Sequence, residues 1–231
     1  MAGILKFLGT DSGFGKNNTS AWLMYNKRFI LIDCGYTVFP KLQEHNLLSV
    51  DYDYDVIITH LHSDHVGSLG QLAAYMYYTY KKPINIISNC ENLDLLMSCV
   101  GTAKDFCDSN PQYPRYMYTR NNNYDLKFIK TEHVHDLDCY GFVLQIENRR
   151  IVYTGDSRTI EPFLEYVSPD TEFYIEASTH GDVHLDIYKN LDTLKYIADN
   201  SAGVYLMHLD DRKKIFKAIE GTNIKLAEAI E

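Results

Sequence analysis

Val56-Ile57-Ile58-Thr59-His60-Leu61-His62-Ser63-Asp64-His65-Val66-Gly67 is the stretch from which the rest of the chain is read. An apolar run ends in three histidines and one aspartate within six residues, His60 to His65. In extended backbone alternate side chains point the same way, so His60 and His62 can converge on one point. Gly67 permits the chain to turn, and Asp64 and His65 can then face a second point beside the first. Imidazole and carboxylate together suit zinc, manganese or iron. Two ions would need more ligands than this loop holds: a further histidine for each and a carboxylate to bridge.

Working outward, three later segments offer them. Thr131-Glu132-His133-Val134-His135-Asp136-Leu137-Asp138-Cys139-Tyr140-Gly141-Phe142 carries two candidate histidines. Tyr153-Thr154-Gly155-Asp156-Ser157 follows the apolar run Ile151-Val152-Tyr153 and carries a carboxylate. Val204-Tyr205-Leu206-Met207-His208 is an apolar run that ends in a histidine. Each candidate stands where a strand runs out into a loop, a place from which a rigid sheet can aim side chains.

The ordered set His60, His62, Asp64, His65, His135, Asp156 and His208 resembles that of the metallo-β-lactamase superfamily. The resemblance spans nearly the whole chain, from Phe7-Leu8-Gly9-Thr10 and Ile32-Asp33-Cys34-Gly35 onward. It implies an α/β fold, an αββα sandwich of two mixed sheets flanked by helices, with a dinuclear site at its edge. By the same resemblance His60, His62 and His135 hold one ion, Asp64, His65 and His208 the other, and Asp156 bridges. His135 is preferred to His133 because it precedes Cys139-Tyr140-Gly141-Phe142. That looks like the phosphodiesterase branch, the tRNA 3′-processing nucleases and their relatives, and it leaves His133 a supporting or surface role.

Composition narrows the class. A chain of 231 residues, 45% hydrophobic, is long enough to bury a sizeable core and is expected to form one domain over residues 1–231. Five cysteines at irregular spacing make no disulfide framework and no zinc knuckle, so a reducing cytoplasm is expected. No window has the length and purity of a membrane span. The formal charge of −9 argues against a broad nucleic-acid-binding surface, although bound cations could still attract a small phosphodiester.

The periodicities predict strands and helices in two similar halves that meet near residue 124, with no linker composition between them. Gly67–Tyr80 carries Leu69, Leu72, Ala73 and Met76 at helical spacing. Between Gly101 and Asn123 periodicity is lost. That segment holds Tyr113, Tyr116 and Tyr118, which could stack on a base or line an interface. Ser12, Gly13, Gly15 and Asn18 follow the first strand in a loop that could border the pocket.

Two divalent ions roughly 3.5–4 Å apart, Zn2+ first or Mn2+, would activate water and clamp a phosphoryl oxygen. The implied reaction is hydrolysis by direct water attack, with Asp64 at the reacting centre. Cys34 and Cys139 are read as packing residues. Ile175-Glu176-Ala177-Ser178-Thr179-His180-Gly181-Asp182-Val183-His184 partly matches the element that the tRNA-processing nucleases use to protonate a leaving group. His184 is preferred to His180 as donor, with Glu176 orienting it. Those nucleases carry a long tRNA-gripping arm before the bridging aspartate. Here His135 and Asp156 lie 21 positions apart and a plain hairpin fills the gap. The sequence is most similar to the compact cyclic-nucleotide phosphodiesterases, among them phage-encoded enzymes that degrade cyclic CMP and cyclic UMP to defeat Pycsar immunity. That likeness implies a homodimer acting on a small phosphodiester, in the host cytoplasm if phage-encoded. An RNA or tRNA-end nuclease, a lactone, lactam or thioester hydrolase, and a non-catalytic metal-binding protein remain the alternatives.

Overall fold

The computed structural model describes residues 3–104, 115–119 and 124–230. The first half begins with strands β1 (Lys6–Gly9), β2 (Ser20–Tyr25) and β3 (Arg28–Ile32), followed by helix α1 (Val38–Glu44) and strand β4 (Asp53–Ile58). A single turn, α2 (Ser63–Val66), and the longer α3 (Leu69–Tyr80) lead to β5 (Ile84–Ser88), α4 (Leu93–Cys99), β6 (Ala103–Lys104) and β7 (Arg115–Thr119). In the second half β8 (Asp125–Lys130), β9 (Tyr140–Ile146) and β10 (Arg149–Tyr153) run in sequence. A 3-10 turn (Glu161–Tyr166), β11 (Thr171–Glu176), α5 (Ile187–Asn200), β12 (Gly203–Met207), α6 (Arg212–Ala218) and β13 (Lys225–Leu226) complete it.

The strands form two mixed sheets. The first has the order β1-β2-β3-β4-β5-β7-β6, the second β13-β12-β11-β10-β9-β8. In the first, β3, β4, β5, β7 and β6 are parallel. In the second, β10 to β13 are parallel, and two antiparallel pairings return β8 to their direction. The carboxyl ends of β8, β10, β11 and β12 therefore share one edge of their sheet.

The period-2 alternation of each strand decides the layers. Along β3, Phe29 and Leu31 join the apolar cluster under α1, α3 and α4, while Ile30 and Ile32 join the cluster between the sheets. Along β12, Tyr205 and Met207 face that middle cluster, and Val204 and Leu206 face the cluster under α5 and α6. Both sheets are thus apolar on both faces, and each needs a helical layer outside it. The result is the expected αββα sandwich. The carboxyl-terminal segment ties the two sheets together: Ala227 N donates to Leu206 O at 2.8 Å and Ile230 N to Phe7 O at 2.8 Å.

Two stretches depart from the sequence expectation. The segment read as aperiodic contains β6 and β7, which extend the first sheet beyond β5. Pairing to a neighbour, not an internal pattern, makes them strands. The side chains of Tyr116 and Tyr118, expected to stack on a base or line an interface, lie outside the described residues, as does Tyr113 altogether. The short strand β13 follows α6 with only two residues and gives no periodicity to read. Among the described residues no helix is long and apolar enough to cross a membrane.

Candidate metal centre

The carboxyl ends of five strands meet at one point. His60 stands two residues beyond β4, His133 three beyond β8, Asp156 three beyond β10, and His208 one beyond β12. Glu176 is the last residue of β11. The backbone there is constrained: Asp33, Gly155 and His208 all have positive φ, at 58°, 56° and 52°. Left-handed conformations outside glycine are uncommon and concentrate where a side chain must be aimed.

His60, His62, His133 and Asp156 bring one ligand atom each into a common cluster. His60 Nε2 lies 3.0 Å from His62 Nδ1, and His62 Nδ1 lies 3.4 Å from His133 Nε2. Asp156 Oδ2 closes the cage at 3.8 Å from His60 Nε2 and 3.7 Å from His133 Nε2. A second cage lies against it. Asp64 Oδ2 is 3.2 Å from His65 Nε2 and 3.3 Å from His208 Nε2. Asp156 lies 3.5 Å from each of those two nitrogens, through Oδ1 to His65 and Oδ2 to His208.

These separations have a simple test. Ligands bound at about 2.0–2.1 Å around a tetrahedral ion are about 3.3 Å apart. Both cages scatter around that edge length. The second also leaves His65 Nε2 and Asp156 Oδ1 buried with no hydrogen-bond partner, although they face each other. Buried polar atoms without partners are costly, and a cation between them would satisfy both. The donor set therefore fits a divalent metal.

The structure places His133, and not His135, beside His60 and His62. His135 is five residues beyond the end of β8 and exposed to solvent, whereas His133 is buried. The physical reason is reach: every other donor from the second sheet lies within three residues of a strand end. Distance from the strand end was the available signal, and the Cys139-Tyr140-Gly141-Phe142 element pointed past it. His133 is also fixed from behind, its Nδ1 facing Val183 O at 2.8 Å.

Other rings are held in the same way. Asp33, buried at the end of β3, sits 2.9 Å from His65 Nδ1 and accepts from Thr59 N and Thr59 Oγ1, each at 2.9 Å. The Thr59 hydroxyl is 3.1 Å from His60 Nδ1. One carboxylate thus orients two rings, a role with no signal in the chain beyond the motif Ile32-Asp33-Cys34-Gly35. Outer partners of this kind fix ring orientation and leave the other nitrogen free to ligate. On the second sheet, Thr131 Oγ1 donates to Asp156 O at 2.9 Å, Arg158 N to Glu132 O at 2.7 Å, and Arg158 Nη2 to His133 O at 2.8 Å. These bonds clamp the His133 loop to the Asp156 loop.

Electrostatics agree with the geometry. Burial alone would raise the Asp156 carboxyl, but the His208 and His65 charges outweigh it and hold the group well below the usual range. Burial likewise works against Asp64, and the adjoining His208 and His65 rings pull it down. For His65 burial opposes protonation, and the Asp156 and Asp33 carboxylates overcome it. Burial drives His60 toward the neutral form that a ligand needs. The thiols of Cys34 and Cys139 are both pushed up to about 12, burial being the main cause, as suits packing residues.

His184 and Glu176 stand beside the cages. His184 Nδ1 is 2.6 Å from Glu176 Oε2, and its ring centroid is 4.8 Å from that of His133. That separation is too short for two ligands of one ion and right for a charge-assisted hydrogen bond. Ser157 N donates to the other Glu176 oxygen. Burial lowers the His184 pKa, but Glu176 raises it further, to about 9. Burial and then Asp156 raise the Glu176 carboxyl. His180, the other candidate on this loop, is 82% exposed on its side chain and points toward Asp210, 4.0 Å away. Asp210 anchors the loop by accepting from Ser178 Oγ at 2.9 Å and Thr179 N at 2.8 Å.

Solved structures share the fold. The metallo-β-lactamase fold protein YhfI from Bacillus subtilis superposes with a TM-score of 0.73 at 18% identity, covering 96% of this chain and 94% of that one. The short form of human tRNase Z gives 0.70 at 17% identity, covering 98% and 97%. Among curated relatives, the anti-Pycsar protein Apyc1 of Bacillus phage vB_BsuM-Goe3 is 36% identical over 254 aligned positions, covering 92% of this chain and 91% of its own. The Apyc1 of Paenibacillus harenae is 29% identical over 166 positions, covering 67% of each. The family model described as anti-Pycsar protein Apyc1 matches residues 4–230, so this chain belongs to the Apyc1 family of anti-Pycsar proteins.

Proposed function

We propose that this chain is a dinuclear metal phosphodiesterase that opens a 3′,5′-cyclic nucleotide to the nucleoside monophosphate, and that it serves as a counter-defence enzyme in a host cytoplasm. The single observation that carries the reading is the placement of Asp156 in the His60–His62–His133 cluster and 3.5 Å from both His65 Nε2 and His208 Nε2, with a hydrogen-bonded His184–Glu176 pair beside it. The anti-Pycsar name of its relatives supports a small cyclic nucleotide as substrate.

In this reading His60, His62, His133 and Asp156 hold one divalent ion and Asp64, His65, His208 and Asp156 the other. Zinc is the first candidate and manganese the second. Such ions supply Lewis acidity toward water and toward a phosphoryl oxygen. The residues supply the rest. Asp33 and Thr59 keep the His60 and His65 rings aimed, so the site need not reorganise during the reaction. Water adds to phosphorus, one ester P–O bond breaks, and the departing ribose oxygen needs a proton. Glu176 holds the His184 imidazole toward its charged form, and His184 donates that proton, with Glu176 stabilising the charge until transfer. No serine or cysteine nucleophile is required. The chain acts as one domain and as a homodimer.

The test is chromatographic. Protein loaded with manganese or zinc is incubated with 3′,5′-cyclic CMP, UMP, AMP and GMP, beside the Asp64→Ala variant. Linear monophosphate from the wild type alone is the expected result. No product from any of the four, with two metals bound per chain, would sink the reading. Activity on a 3′-extended tRNA instead would move it to the nuclease alternative.

A further inference from the structure

Two aromatic side chains stand in solvent beside the cage that Asp64 closes. Phe14 is 109% exposed and Tyr36 56%. An exposed phenylalanine on a loose loop would mean little, but this loop is closed by its own bonds. Asp11 N donates to Asn17 O at 3.0 Å, Asn17 N to Asp11 Oδ2 at 3.0 Å, and Gly15 N to Ser12 O at 2.9 Å. Ser12 N ties the loop to Leu209 O at 3.0 Å, one residue from His208.

The same backbone is pressed against Asp64. A Cβ at Gly13 would lie 3.1 Å from Asp64 Oδ2, and one at Gly35 would lie 1.8 Å from Asp64 O. A Cβ at Gly67 would meet the Tyr36 ring at 2.5 Å. Phe14 adjoins the first of these glycines and Tyr36 the second. The two rings are thus carried by fixed backbone at the margin of the site, Phe14 wholly in solvent and Tyr36 about half covered, with one edge against Gly67.

We propose that Phe14 and Tyr36 form a stacking platform for the nucleobase of the substrate. This rests on the cyclic-nucleotide reading above and goes beyond it by naming what holds the base. A phosphodiester drawn to the cages leaves its base free to extend toward the rim, where Phe14 and Tyr36 stand. Stacking of this kind tolerates any base, because every base has a π-face. Phe14 has no polar side-chain atom with which to read a base edge. The platform therefore predicts that purine and pyrimidine substrates are bound with similar KM, and that a substrate without a base is bound poorly.

The experiment compares metal-loaded wild type with Phe14→Ala, Tyr36→Ala, the double variant and Phe14→Trp. The substrates are the four 3′,5′-cyclic nucleotides and abasic 3′,5′-cyclic ribose phosphate. The double alanine variant should raise the nucleotide KM by about tenfold or more, the lower part of the range that stacking supplies. Its kcat should change little, the abasic substrate should show no such rise, and Phe14→Trp should retain the wild-type KM. Equal KM in wild type and double variant overturns the platform while leaving the cyclic-nucleotide reading intact. An equal rise with the abasic substrate overturns it too, because the effect is then on the fold. So does a fall to monomer mass by light scattering on loss of Phe14, which would make that ring a subunit contact. A wild type inactive on every nucleotide overturns the parent reading and the platform together.

Discussion

The two halves of the molecule supply the candidate centre in different ways. The first sheet sends its donors from a single loop: His60, His62, Asp64 and His65 all follow β4, and a buried carboxylate, Asp33, steadies two of them from the neighbouring strand. The second sheet sends one residue per strand end: His133 after β8, Asp156 after β10, Glu176 closing β11, His208 after β12. The first arrangement is local in sequence and could be mistaken for the whole site. The second exists only because parallel strands bring distant loops to one edge. A dinuclear site needs both, and Asp156 is where they join.

That junction gives the largest expected effect. Asp156→Ala should remove the ligand common to both cages and empty both together. Hydrolysis should fall at least about 1,000-fold, the scale on which losing a principal electrostatic group acts, and bound metal, measured by emission spectrometry, should fall with it. One ion retained at wild-type affinity would separate the halves and break the comparison.

Legibility follows the same division. The His60–His62 pair was readable because strand alternation is a local property, whereas Asp64 and His65 are turned toward their cage by α2, ahead of Gly67. Asp156 and His208 were readable because each follows within three residues of an apolar run. His133 was not, since two histidines lie within three residues and the choice depends on how far the β8 loop must reach. Asp33 carried no sign of its role, because a buried aspartate at a strand end looks the same whether it caps a turn or orients two imidazoles. The layers were expected from the family resemblance, and the alternation along β3 and β12 shows why each sheet needs helices outside it. β6, β7 and β13 were not legible, being made by pairing with neighbours.

His133 and His135 offer the next test, two histidines on one loop with opposite environments. His133→Ala should weaken metal binding in the first cage and slow hydrolysis about 100-fold, within the span that a catalytic side chain supplies. His135→Ala, on an exposed position, should leave metal content and rate within about twofold. The reverse outcome would restore the assignment suggested by the Cys139-Tyr140-Gly141-Phe142 element and show that the loop rearranges when metal binds.

His184 belongs to the second half but lies outside both cages, so it separates proton delivery from metal binding. His184→Asn should keep its metal and lose about 100-fold in rate, most for the poorest leaving group. The wild-type rate should fall as pH rises toward about 9, where the donor loses its proton, and that limb should be missing in the variant. A bound dication near Asp156 opposes the charged imidazole, so the loaded enzyme should lose activity at lower pH than the metal-free ring titrates. The sign for stability follows from the same shift. A raised folded-state pKa stabilises fully below the ordinary histidine value of about 6.5 and is lost as pH rises through about 9. In metal-free protein the Tm difference between wild type and His184→Asn should therefore be larger at pH 6 than at pH 10. An unchanged difference would mean that the His184–Glu176 pair contributes no linked proton.

The smallest effects set the two supporting clamps against each other. Asp33→Asn keeps the shape but removes the charge that two buried rings lean on, and should weaken metal binding about 10- to 100-fold, as outer-shell carboxylates do. Arg158→Ala removes one guanidinium bond to the His133 carbonyl, while the Arg158 backbone bond to Glu132 and the Thr131 bond to Asp156 remain. Arg158 is exposed, so its loss should be worth only about 1 kcal/mol, roughly fivefold in affinity. Metal titration with a competing chelator reads both. If Arg158→Ala proved as costly as Asp33→Asn, the second sheet's loops would depend on one surface side chain, and the alignment of its strand ends would not be what brings His133 and Asp156 together. If Asp33→Asn proved as mild as Arg158→Ala, the contiguous loop after β4 would hold its rings by backbone alone, and the two halves would differ in sequence but not in how they are held.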